Sequence, residues 1–304
     1  MGEDRRVSRL FCFGLGYSAS HYITEYGGRF WRIAGTVRTR EKAAAIASGA
    51  LKHPVEAFVF DGSEAKPEIT AAVLDANAIL VSAPPREGGD PVLRHFAEAI
   101  AAAPHLRSIV YLSTIGVYGD HKGEWIDETT KPAPVSARSR ERLAAEQEWI
   151  ALGRRAEKAV VILRLSGIYG PGQNAFTQLK SGRAKRIDKP GQFFNRIHVA
   201  DIAQAIDSAF TRSANGVLNV TDDKPTAQGV PVAFAAELLG LEPPPQIPFA
   251  EAAKGMNDMA LSFYGESKRV RNDRLKRELN VTLRYPTFRE GLRALFATEK
   301  TPTS

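Results

Sequence analysis

The chain has 304 residues, 43% hydrophobic and 25% charged, with a formal net charge of +7 and no apolar stretch near the ~18 residues a membrane helix needs. That length and composition fit an α/β protein with a sizeable core, as one large unit or two modest domains. The single cysteine, Cys12, excludes an intrachain disulfide and a cysteine-based metal centre, and the opening Met-Gly-Glu-Asp-Arg-Arg lacks the apolar segment of a signal peptide, so a cytoplasmic protein without a metal is expected.

The first apolar run, Leu10 to Phe13 entered from Arg9, ends in Gly14-Leu-Gly-Tyr-Ser-Ala19, the spacing G-x-G-x-x-A. Each small residue in that spacing serves dinucleotide binding. Gly14 turns the chain off the strand, Gly16 opens the backbone to a pyrophosphate, and Ala19 lets the following helix (Ser18 to Tyr26) pack close. The helix N-terminus offers free N–H groups and a partial positive charge to phosphates. Gly14, Leu15, Gly16, Tyr17 and Ser18 are therefore expected cofactor contacts; the alternative is a plain strand-to-helix connector.

Further strands are expected at 32–37, 57–60, 78–82, 108–112 and 159–165, several of them continuous apolar runs that suit strands buried on both faces. Helical patterns at 41–48, 67–74, 92–102 and 139–152 alternate with them. This alternation predicts βαβ units and an α/β, Rossmann-type doubly wound parallel sheet. The second strand ends Val37-Arg-Thr-Arg40, without the carboxylate that would hold ribose hydroxyls in an NAD site. Arg38, with Arg40, instead suits an adenosine 2′-phosphate, so NADP is expected over NAD. Asp61, ending the third strand, falls at an adenine contact or in an ordinary Asp-Gly turn. Ser82 and Ala83 after the fourth strand, and Ser113 on the fifth, complete the expected cofactor set.

After Leu165 the pattern changes: Gly, Pro and basic residues dominate 167–191, and a Pro-Pro-Pro run stands at 243–245. Helical patterns at 199–210 and 230–239 flank a strand-like run at 216–220. We read residues 1–165 as an NAD(P)-binding domain, with elements near 196–222 returning to it, and 166–304 as a smaller C-terminal substrate-binding region. The basic clusters at 138–142, 180–186 and 268–277 lack zinc-finger spacing or an arginine-rich tail. They suit a solvated surface or attraction of anionic ligands better than nucleic acid.

Four stretches in order resemble the extended short-chain dehydrogenase/reductases of the NAD-dependent epimerase/dehydratase type, over nearly the whole chain. They are the glycine turn, Leu112-Ser-Thr-Ile-Gly-Val-Tyr-Gly119, Leu163-Arg-Leu-Ser-Gly-Ile-Tyr-Gly-Pro-Gly172 and Arg196-Ile-His-Val-Ala-Asp-Ile-Ala203, with a similar tail from Leu275 to Glu290. The resemblance implies a helix-borne Tyr-x-x-x-Lys pair beside a Ser or Thr of the fifth strand. Aligned on Leu143-Ala-Ala-Glu146, Arg138 takes the tyrosine position and Arg142 the lysine position, and no tyrosine lies between Tyr118 and Tyr169. The chain thus resembles the atypical subgroup that keeps the cofactor motif without the active-site tyrosine.

Arginine, with a pKa above about 12, is a poor acid or base, but it binds phosphate, clamps a carboxylate or stabilises an oxyanion. Thr114, Arg138 and Arg142 form the expected catalytic set; a solvated helix start is the alternative for the arginines. Tyr118 and Tyr169, each just past a strand end, are candidates for a relocated acid. His198 and Asp201 match a motif that supports the fold. Two functions stay open: an NADP-dependent oxidoreductase or epimerase on a small anionic or sugar-like substrate, and a non-catalytic NADP(H)-binding sensor or regulatory protein. The partners expected are that small molecule and a second copy of the chain in a homodimer, with neither nucleic acid nor membrane.

Overall fold

Strands and helices alternate from the start of the computed structural model, which describes residues 8–300; the opening residues read for a signal peptide lie outside them. The order is β1 (Arg9–Phe13), α1 (Tyr17–Tyr26), β2 (Arg32–Val37), α2 (Arg40–Ala45), β3 (Glu56–Val59), α3 (Pro67–Leu74), β4 (Ala78–Val81), α4 (Pro91–Ala102), β5 (Ser108–Thr114), β6 (Trp125–Ile126), α5 (Ala137–Ala156) and β7 (Ala159–Leu165). There follow β8 (Gly167–Tyr169), α6 (Ala175–Lys180), β9 (Arg186–Asp188), β10 (Arg196–His198), α7 (Val199–Arg212), β11 (Gly216–Val220) and α8 (Gly229–Leu239). The chain closes with β12 (Gln246–Pro248), α9 (Phe249–Ala252), α10 (Asp258–Tyr264), β13 (Arg269–Val270), α11 (Asp273–Leu279) and α12 (Phe288–Lys300).

Seven parallel strands form one sheet in the order β11-β7-β5-β4-β1-β2-β3, so the expected Rossmann-type α/β fold is borne out. The unbroken apolar runs have the cause the sequence implied. On β1, Leu10 and Cys12 pack among Tyr22 and Ile23 of α1 and Ile202 and Ile206 of α7 on one face. Phe11 and Phe13 pack among Val73 of α3, Phe96 of α4 and Trp149 of α5 on the other. Side chains alternate across a strand, so a strand covered on both faces favours apolar residues at successive positions.

The later segments join the sheet's carboxyl side through three two-stranded parallel pairs, β8 with β10, β9 with β12 and β6 with β13. From β10 the chain enters α7, which packs beside α1, and β11 pairs with β7 at the sheet's edge. Among the described residues no helix is long and apolar enough to cross a membrane.

Two helices depart from their expected bounds. The pattern at 41–48 forms α2 only to Ala45 and then a wider turn at Ile46–Ala50, with Gly49 at φ +93°. Helix α5 begins at Ala137 rather than Ser139, because the Ser136 hydroxyl caps it by accepting from Ser139 N, and it runs on to Ala156. Its polar first turn carries no apolar periodicity to mark it.

Candidate functional site

The strand order reverses between β1 and β4: the chain runs outward one way through β2 and β3 and the other way through β5, β7 and β11. In open α/β sheets the crevice at the carboxyl ends beside this reversal takes ligands. The turn leaving β1 lies there. Gly14 sits at φ +91°, and a Cβ on it would stand 2.9 Å from Ala83 N, so protein fills that space. Its N–H donates to Thr36 Oγ1 at 3.0 Å, and both Ser82 N and Ala83 N donate to Phe13 O.

Gly16 is different. A Cβ there would meet only Ser82 Oγ, at an ordinary 3.7 Å, so the fold itself does not require glycine. Helix α1 starts at the next residue with no side-chain cap, leaving its first N–H groups without a protein acceptor at the cap. Open space at Gly16 beside an uncapped helix start fits a dinucleotide pyrophosphate. The residues present fit that group.

Not every expected residue of the turn faces this cleft. The side chain of Leu15 is buried in the core, and its N–H donates to Thr36 O. Ser18 is also buried, with only its backbone at the helix start. Tyr17 is partly exposed and donates its hydroxyl to Pro171 O at 3.0 Å, tying the turn to the loop after β8; loss of solvent pushes its pKa up to about 12. Thr36, which the sequence did not single out, orients the turn through both its side chain and its carbonyl.

At the other end of the crevice, Arg38 and Arg40 are exposed just past β2. Among the described residues Arg38 has neither a hydrogen bond nor an ion pair. The Asp61 carboxylate accepts from Ser63 N at 3.0 Å and Ser63 Oγ at 2.6 Å, closing its own turn. Those two bonds hold its pKa below the usual carboxylate range. The Asp-Gly turn reading therefore describes this side chain, and its carbonyl instead accepts from Arg86 Nη1 at 2.7 Å.

Across the reversal, α5 lies against β5. The Thr114 hydroxyl accepts from Gly116 N at 3.1 Å, and a Cβ on Gly116 would stand 3.1 Å from Ser139 Oγ and 3.4 Å from Thr114 Oγ1. Arg142 Nη1 donates to Leu112 O at 2.8 Å and Tyr111 OH at 3.2 Å, which turns that face of the helix toward the strand end. Arg138, one turn earlier on the same face, is exposed and has no partner among the described residues. Arg142 is thus tied to β5 through Tyr111 and Leu112, while Thr114 is held by Gly116. Ser139 is the residue missed, and its burial in a polar turn has no signature in the sequence.

The Ser113 hydroxyl is turned into the core. It is buried and donates to Glu146, which is paired with Arg164 through Nη2 at 2.6 Å. Tyr118 is likewise in the core, donating to Asn219 Oδ1 at 2.9 Å beneath the Arg164 guanidinium. Tyr169 is buried against His198, its hydroxyl 3.5 Å from Thr287 O. Neither tyrosine stands as a relocated acid. Asp201 accepts from Arg284 N and Tyr285 N, and His198 caps α7 through Ala200 N, so both hold the fold.

The family model described as the NAD dependent epimerase/dehydratase family matches residues 92–221. The chain is 26% identical over 306 residues to Protein YeeZ of Escherichia coli (strain K12), covering 92% of this chain and 97% of that protein. It is also 26% identical over 254 residues to a 3-diazoavenalumate denitrifying reductase of Streptomyces sp, covering 78% and 82% of the two chains. A solved structure of a functionally unknown conserved protein from Silicibacter pomeroyi DSS superposes with a TM-score of 0.85 at 43% identity, covering 97% of this chain and all of that one.

Proposed function

We propose, for a chain that belongs to the NAD-dependent epimerase/dehydratase family, that it is an NADP(H)-dependent reductase acting on a small anionic electrophile. The observation that carries this reading is the contrast between the two glycines: protein closes the space at Gly14 and leaves it open at Gly16. A bound nicotinamide would supply or accept a hydride. The contribution of the chain's own residues is binding and charge. The glycine turn and the start of α1 suit the pyrophosphate, and Arg38 suits the 2′-phosphate.

In this reading Arg138 and Arg142 supply positive charge from α5, which can hold a substrate carboxylate or oppose negative charge growing on an oxygen. Arginine is a poor proton donor as a residue type, so the reading favours substrates that need no strong acid at the site. Similarity to a protein named as a denitrifying reductase supports the reductive direction.

The test is NADPH consumption with matched carboxylated and neutral carbonyl compounds. Turnover is expected with the carboxylated set, falling at least about 10-fold in Arg138→Ala, the scale of one charge-assisted hydrogen bond. NADPH binding without turnover of any compound would favour the non-catalytic reading, for which the lack of an acidic side chain at Arg138 already speaks. Equal turnover of both sets, untouched by Arg138→Ala, would contradict the role given to α5.

A further inference from the structure

We propose that Arg86 is a specificity-determining residue for the cofactor, joining Arg38 to grip an adenosine 2′-phosphate. This rests on the dinucleotide reading of the glycine turn and deepens it. Arg86 lies between β4 and α4, while the carbonyl it holds, Asp61 O, follows β3. In the sheet, β1 and β2 separate those two strands, so the loops meet on the carboxyl side of β1 and β2, around the adenosine end of the crevice. The backbone of Arg38 leaves β2 beside that of Asp61. Phe60 N donates to Val37 O at 2.8 Å, and Asp61 and Arg38 are the next residues after that bonded pair.

The backbone of Arg86 is firmly held. It exchanges two hydrogen bonds with Gly89, and the following Asp90 caps α4 and accepts from Trp149 Nε1 at 2.9 Å. Beyond the Arg86 Nη1 bond to Asp61 O, both guanidiniums are open among the described residues. Arg38 and Arg86 are both exposed, and among the described residues neither forms an ion pair. The carboxylate nearest to hand, that of Asp61, is bound to Ser63 instead. Two guanidiniums at one rim repel unless an anion lies between them, and a phosphate monoester carries about two charges near neutral pH. Planar guanidinium forks match its oxygens. NAD, with a bare ribose hydroxyl there, would gain little from either arginine.

Calorimetric titration of the full chain with NADP+, NAD+, adenosine 2′,5′-bisphosphate and ADP tests this. Arg86→Ala should weaken NADP+ and the bisphosphate by about 10- to 100-fold, the range for hydrogen bonds to a charged group. NAD+ and ADP should stay within about twofold. Arg86→Gln, which keeps a donor for Asp61 O, should lose the same selectivity with an unchanged melting temperature, separating charge from loop order. If the wild type prefers NADP+ and neither variant alters that preference, the role of Arg86 is overturned while the cofactor reading stands. Equal affinity for NAD+ and NADP+ in the wild type overturns it as well. Failure of both dinucleotides to bind would sink the dinucleotide reading itself.

Discussion

At the scale of single residues, the two glycines of the turn make opposite predictions. Gly14 is at positive φ with Ala83 N in the way, so Gly14→Ala should cost about 1–3 kcal/mol of stability, seen as a lower thermal midpoint. Gly16→Ala should leave stability within about 0.5 kcal/mol, as for a substitution that meets nothing. A comparable loss in both would mean the turn at Gly16 is shaped by the fold alone. The motif was legible in the sequence because its geometry is local: three small residues within six positions fix the turn. Leu15 and Ser113 were not legible. Whether a side chain at a strand end faces a cleft or the core depends on partners far along the chain, here Glu146 for Ser113.

Among the elements, α5 does most to define this chain. It carries the arginines toward the end of β5 and also the buried Glu146, whose pairing with Arg164 locks the helix to β7. Removing one partner leaves a buried charge alone, so Arg164→Ala should destabilise by about 3–5 kcal/mol in urea unfolding. A loss below about 1 kcal/mol would mean water compensates the pair. The site on α5 invites a second change. Arg138→Tyr with Arg142→Lys restores the pair the family pattern expects next to Thr114, and it should confer measurable NADPH-dependent reduction of neutral ketones, since positioned acid catalysis is worth roughly 10²–10⁴-fold. No gain in an NADPH-binding double variant would place the chemistry away from this helix. The long strands and helices were readable from hydrophobic period, but β8, β9, β10 and β12 are three residues each. Strands so short are set by pairing with distant segments, such as Arg196 with Gly167, and leave no periodic trace.

For the whole molecule, pH acts through carboxylates buried between α7, β11 and the tail. Burial pushes Asp222 up to about 8, against the opposing pull of Lys224 N–H and Arg196, and Asp222 Oδ2 has no hydrogen-bond partner among the described residues. The folded state therefore favours the protonated form, and stability falls as pH rises from about 4 through about 8, by at most about 1.4 kcal/mol per unit. Asp201, raised to about 6 by burial, acts the same way in the lower part of that window. His198, lowered to about 4 by burial, acts the opposite way, stability falling as pH drops from about 6.5. Between about 6.5 and 8 Asp222 alone of the three titrates, so Asp222→Asn should gain thermal stability over the wild type across that interval. Parallel melting curves would show that Asp222 is ionised in the fold throughout. The architecture behind these effects was legible because seven apolar runs could be satisfied only by a sheet covered on both faces. The most direct test of the central claim is a fluorescence titration of the wild type and Gly16→Val with NADPH. The account predicts saturable binding to the wild type and none to an equally stable Gly16→Val. Equal binding by both proteins would contradict it.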